Sequence, residues 1–449
     1  MAAHEGWGKH LNGQTHRAPS IGAYCFKGFI LGSTIAEKIL ARASGQTRVN
    51  AGDNIKAKPD FVVAYDFPGY TDVIFKQMKD EFGLTGVKDP SRYALFIDHM
   101  VPAVTPQEEE LHQNTRDWGA QAQVPVYERK GIGHQVASEL GYATPGAFVV
   151  HFDGHISQLG TFGTLAMGVR RHLIESFVNE KIRMAVPATT RVDLVGQLQR
   201  GVMARDVFHH VVRVLGPARC RFQVLEVGGE AISEMSIDAR QTLTCLAMFT
   251  GAVTAIINPD QVTLPYAKER ARLSIEPLYS DHDATYAARH TIDISQLEPV
   301  VVIPPSPANT RNLMDHLGLS VQVGYLGSCA SGRLEDLRAA AEVLRGRSVK
   351  PGFQLHVVPT SQEIMRQAAQ EGLLTDLIAA GAFVSSPSCD YCFGRLGVMS
   401  AGQRAVSTGT LNVRGRMGST DSEIFIVNAA AVAAAAIEGQ IADPRPYLR

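Results

Sequence analysis

The chain has 449 residues, 45% of them apolar and 19% charged, enough for roughly two to four α/β domains with buried cores. A formal net charge of -1 gives no overall pull toward nucleic acid or an anionic membrane, so neither is expected as a partner. The N-terminal MAAHEGWGKHLNGQTHRAPS lacks the basic-then-apolar pattern of a secretory leader, and no apolar run approaches the roughly 18 residues of a membrane span. The expected setting is therefore the cytoplasm, where six cysteines are too few for a disulfide framework.

In chain order, residues 32–43 read as a helix, with Thr34 and Glu37 spaced as a capping box. Short apolar runs at 61–66, 93–98, 147–153, 300–304, 321–328 and 353–359 then alternate with helix-like sequence. That alternation predicts an α/β architecture with mostly parallel sheets, whose strand ends collect functional residues. Asp98-His99 and Asp153-Gly154-His155 each follow such a run, and Cys329 follows another. The polar stretch 269–297 reads as a linker, dividing residues 1–294 from a last domain over 295–449 that carries Cys389 and Cys392. An alanine-rich helix, ending at Gly439 and Pro444, closes the chain.

Cys389 and Cys392 form a C-x-x-C pair that by itself is compatible with zinc, a redox couple or chance. With Cys329, in the small-residue turn LGSCASGR, the chain offers three thiolates, the number that leaves one iron of a cubane open. His4, His10, His209 and His210 read as solvated or core histidines, and Cys25, Cys220 and Cys245 as ordinary buried thiols.

GSCASGRLEDLRAAAEVLRG and SPSCDYCFGRLGVMSAGQRAVSTGTLNVRGRMG resemble, in order and at compatible spacing, the cysteine segments of the aconitase superfamily. IDHMVP, GIGHQVASELGYATPG, FDGHISQLGTFGTLAMG and LEVGGEAISEMSIDAR also resemble segments of that family, above all the large subunits of 3-isopropylmalate dehydratase and homoaconitase. The resemblance implies an aconitase-like fold: three α/β/α domains around a cluster-binding cleft, lacking the swivelling fourth domain. It further implies a hydro-lyase acting on a small hydroxy acid, a 4Fe-4S cluster on Cys329, Cys389 and Cys392, and a small swivel-domain subunit in a heterodimer or heterotetramer. That subunit would bring the serine that acts as base.

By the same resemblance Asp98 and His99 protonate the departing hydroxyl, His134, Asp153 and His155 hold water and the substrate hydroxyl, and Arg416 lies in the substrate pocket. Departures gather around the substrate. Gly154 stands for a serine and Leu159 for a histidine; Thr410 and Leu411 replace an asparagine and a carboxylate-binding arginine, leaving Asn412. Ala330-Ser331 replace Thr-Asn, and Cys245 and Phe249 replace an asparagine and a glutamate. Losing an arginine fork removes a contact worth roughly 1.5–3 kcal/mol, which implies retained dehydration chemistry on a changed substrate. The alternatives are a non-catalytic iron-sulfur sensor or regulatory subunit, or a smaller cluster or mononuclear iron in the same pocket.

Overall fold

The computed structural model describes residues 32–449; His4, His10 and Cys25 lie outside the described residues. Helix α1 (Ile35–Ser44) begins at Thr34, whose hydroxyl accepts from the Glu37 amide while Glu37 accepts from the Thr34 amide, and it ends at a left-handed Gly45.

Three largely parallel sheets follow. The first contains β1 (Phe61–Tyr65), β2 (Tyr93–Ile97), β3 (Val126–Glu128), β4 (Phe148–His151) and β5 (Leu165–Gly168), in the order β3-β2-β1-β4-β5 and all parallel. The chain starts in the middle of this sheet and winds outward in both directions, so the crevice between β1 and β4 is a topological switch point. The second sheet is β6 (Thr189–Val195), β7 (Val224–Gly228), β8 (Thr254–Ile257) and β9 (Ala288–Asp293), ordered β8-β7-β6-β9, again all parallel.

The third sheet is built from β10 (Val300–Val302), β11 (Thr310–Asn312), β12 (Val323–Leu326), β13 (Gln354–Val357), β14 (Phe383–Val384), β15 (Arg404–Ser407) and β16 (Glu423–Ile426). Its order is β11-β10-β16-β15-β12-β13-β14, parallel from β16 to β14, and its switch point lies between β12 and β15. The strands with the most continuous burial, such as β1, β2 and β4, are the apolar runs visible in the sequence.

The segment 269–297 is not a plain linker. It contains β9, which pairs in parallel with β6 along its whole length, and Asp281 accepts from the Ser33 amide at 2.8 Å. β9 is an edge strand with mostly unburied residues, so its sequence carries charge where a buried strand would carry valine. The alanine-rich segment forms the helix Ala429–Glu438, capped by Asn428 and closed by a left-handed Gly439, and its alanines pack into the core of the third sheet.

Candidate active site

Both switch points supply the site. Asp66 follows β1, Asp98 and His99 follow β2, and Asp153 and His155 lie just past β4, so three strand ends of the first sheet present carboxylates and imidazoles together. Cys329 follows β12 and Thr410 follows β15, while Cys389 and Cys392 lie in the turn beyond β14. The two groups are joined directly: the Cys389 amide donates to the Asp98 carbonyl at 3.2 Å, and the amides of Met100 and Val101 donate to the two carboxylate oxygens of Asp390, each at 2.8 Å.

Asp98 Oδ1 lies 2.6 Å from His99 Nδ1, and its other oxygen accepts from the Gly133 amide at 2.6 Å. Glycine is needed there, because a Cβ at 133 would sit 2.9 Å from Phe96 Cβ and 3.1 Å from Asp98 Oδ2. Burial works to raise the Asp98 carboxyl and to lower the His99 imidazole. At Asp98 the charge and hydrogen bond of His99, with the Gly133 amide and His134, together outweigh it, and at His99 the neighbouring Asp98 and Cys389 together do. His99 is thus held as a cation beside a carboxylate.

The second pair is Asp153 and His155. Asp153 Oδ1 accepts from the His155 amide at 2.6 Å and lies 2.8 Å from His155 Nδ1. Burial opposes ionisation of both, yet the pairing holds Asp153 well below the carboxylate range, while Cys329 and Asp153 lift His155 to about 10. His134, on the helix α2 (Gly133–Glu139), stands 3.9 Å from Asp153 Oδ1. Burial dominates there and lowers it to about 4, leaving a neutral imidazole.

The three cysteines are buried or nearly so and carry no disulfide. Arg416 Nη2 reaches Cys392 Sγ at 3.3 Å and outweighs burial in lowering that thiol, whereas burial pushes Cys389 up to about 12. Contact with Cys245, together with burial, raises Cys329. Several buried polar atoms of the site make no hydrogen bond among the described residues: both nitrogens of His134, Nε2 of His155, Oγ of Ser331 and Nε of Arg416. Orphaned donors and acceptors around three buried thiols fit a bound metal-sulfur group, whose metals displace the thiol protons. The cysteine turn is also strained, since Ser328 adopts φ 89° and is held by a hydrogen bond to the Thr408 carbonyl.

Thr410 Oγ1 lies 3.8 Å from Cys392 Sγ, and the Asn412 amide donates to the Val302 carbonyl at 3.2 Å while its Oδ1 stays unpaired. Leu411 and Met248 pack against the core that holds Cys329 and Phe249, and a Cβ at Gly154 would find Met248 as its nearest neighbour, at 3.9 Å.

Several site residues escape sequence reasoning. Tyr65, from β1, packs tilted against His99 and His151 and edge-on to His134, and it donates to Asp153 at 3.4 Å. Asp66 is buried behind Asp98, 3.1 Å from His112 Nε2, and burial with the Asp98 charge lifts it to about 8. Cys245 is the buried core thiol expected, and it also contacts Cys329. Arg205 and Arg333 are both buried and clamp the Cys329 turn from two sides. His209 is a buried core histidine, and His210 is tied to Arg213.

No helix among the described residues is long and apolar enough to cross a membrane. Residues 101–318 and 311–439 match the Aconitase family (aconitate hydratase). The chain is 38% identical over 422 residues to 3-isopropylmalate dehydratase large subunit 1 of Methanopyrus kandleri, covering 93% of this chain and all of that one. It is 34% identical over 415 residues to the probable large subunit of that enzyme from Methanothermobacter thermautotrophicus, covering 92% and 98%. The Aquifex aeolicus large subunit is also 34% identical, over 423 residues, covering 92% and 97%. Among solved structures, aconitase X of Thermococcus kodakaraensis aligns with a TM-score of 0.47 and 12% identity over 84% of this chain and 88% of that one, too distant to bear on the fold. The family match and the identity of a third or more to relatives over nine-tenths of the chain settle the matter: the chain belongs to the aconitase family and is a hydro-lyase of that family.

Proposed function

We propose that the chain is the large subunit of a two-subunit iron-sulfur hydro-lyase that removes water from a small 2-hydroxy acid and can add it back. Its chemistry is that named for the 3-isopropylmalate dehydratase relatives, and its substrate pocket differs from theirs. The observation that carries this reading is the meeting of two acid–imidazole pairs, at 2.6 and 2.8 Å, with three cysteines from the third sheet, Cys329 and Cys392 buried and Cys389 partly so. A 4Fe-4S cluster on Cys329, Cys389 and Cys392 supplies, when bound, a Lewis-acidic iron free of thiolate.

The chain's own residues do the rest. His99, kept protonated by Asp98, which engages its Nδ1–H, gives the proton on Nε2 to the departing hydroxyl. Neutral His134 offers a lone pair to the substrate hydroxyl, and the Asp153–His155 pair orients it from the other side. The base that takes the neighbouring C–H proton comes from a small subunit, in a heterodimer or heterotetramer. This is supported by the relatives' designation as large subunits.

Arg416 holds the substrate carboxylate, with Ser331 Oγ, Thr410 and Asn412 as neutral contacts. Leu411, Met248 and Phe249 favour a substrate with fewer carboxylates or a bulkier apolar branch than the usual diacids. We also place the division of the chain near residue 295 and the enzyme in the cytoplasm.

The test is anaerobic purification with and without a co-expressed small subunit, followed by the ultraviolet absorbance of alkene product across branched 2-hydroxy acids and diacids. Turnover only with the partner supports the reading. A loaded, partnered enzyme inert on the whole set refutes it.

A further inference from the structure

Tyr325, in β12, is fully buried, yet its hydroxyl meets no hydrogen-bond partner among the described residues. An unpartnered buried hydroxyl is a net cost, and phenylalanine would supply the same ring without it. The position of the hydroxyl is well defined. A Cβ at Gly327 would lie 2.8 Å from Tyr325 Oη, so the phenol folds back over the strand end, beside the turn that carries Cys329. The ring stacks on Tyr391 at 6.3 Å and 12°, and Tyr391 sits between Cys389 and Cys392. Tyr325 and Cys392 belong to one apolar cluster against which Cys389 packs, and all three cysteines are electrostatic neighbours of the phenol. The missing acceptor therefore lies where the three thiols converge.

We propose that Tyr325 is a positioning residue of the iron-sulfur centre, its phenolic O–H donating a hydrogen bond to a sulfur of the bound cluster. The inference rests on the cluster reading above. A hydrogen bond to thiolate or sulfide withdraws electron density, which raises the reduction potential and slows loss of metal. The hydroxyl that burdens the empty chain then stabilises the loaded one.

That change of sign is the test. Tyr325→Phe and the wild type are compared anaerobically, without metal and after reconstitution with iron and sulfide. The metal-free variant is expected to melt at the same temperature as wild type or higher. The loaded variant is expected to release iron to a chelator about ten-fold faster, and its midpoint potential, read by electron paramagnetic resonance, to fall. A purely structural role would shift both forms the same way. If the loaded variant matches wild type in potential and iron release, or the metal-free variant melts lower, the inference is overturned while the cluster reading stands. A wild type that takes up no iron and sulfide overturns both.

Discussion

Replacing Arg333 by methionine removes a guanidinium that is fully buried and makes four hydrogen bonds. These go to the Cys329 carbonyl at 2.6 Å and to Gln135 Oε1, Gln158 Oε1 and Thr242 Oγ1 at 3.1 Å each. The partners come from helices and turns far apart in the chain, and none of them is a carboxylate. Each lost bond is worth about 0.5–1.5 kcal/mol and each orphaned buried acceptor about 1–3 kcal/mol, while removal of a buried charge returns part of that sum. The expected net loss is about 3–5 kcal/mol, a large share of the stability of any domain. Arg333→Lys keeps the charge but loses the planar fork, and should fall between the two. Urea unfolding of the metal-free chain measures this as a drop in midpoint at constant slope. A loss below about 1 kcal/mol for the methionine variant would refute the argument that this network ties the Cys329 turn to the first sheet.

Asp98→Asn keeps an acceptor for the Gly133 amide but removes the charge that keeps His99 protonated. Turnover of the partnered enzyme is expected to fall by about 10²–10⁴-fold, together with a lower melting temperature because a buried ion pair is broken, and an unaffected rate would remove His99 from the role of acid. Cys389→Ser should fold and yet retain little iron after desalting, a result read by elemental analysis against wild type. Glu139 accepts from Ser361 Oγ at 2.6 Å and Gln135 Nε2 at 3.1 Å, but burial outweighs these bonds and raises it to about 7. Because its folded pKa lies above the unfolded one, its contribution to stability is full below about pH 4.5 and is lost as pH rises toward 7. That window is worth at most about 3 kcal/mol, and Glu139→Gln should flatten it in pH-dependent denaturation.

Much of this site could be read from the chain because its chemistry sits at strand ends, where short apolar runs stop at Asp98-His99, at Asp153 and His155, and near Cys329. The cysteine turns are also local words, since Cys389 and Cys392 need only one turn to come together. What stayed hidden depends on contacts between distant segments. Arg205 reaches the Ala330 carbonyl across 125 positions, and Arg333 reaches Gln135 across 198. Nothing in the local sequence of either arginine separates a buried clamp from a solvated side chain. Tyr325 reads simply as part of an apolar strand, and Cys245 as an ordinary buried thiol, until the third sheet is packed against the first two. β9 was hidden for another reason: an edge strand needs only backbone pairing, so its side chains carry little of the apolar signal that marked the central strands.

Everything proposed for this site depends on Cys329, Cys389 and Cys392 together holding a cluster. Anaerobic reconstitution, followed by iron and sulfide analysis and Mössbauer spectroscopy, tests it most directly. About four irons and four sulfides per wild-type chain are expected. Failure to take up iron, or about one iron without sulfide, would contradict it.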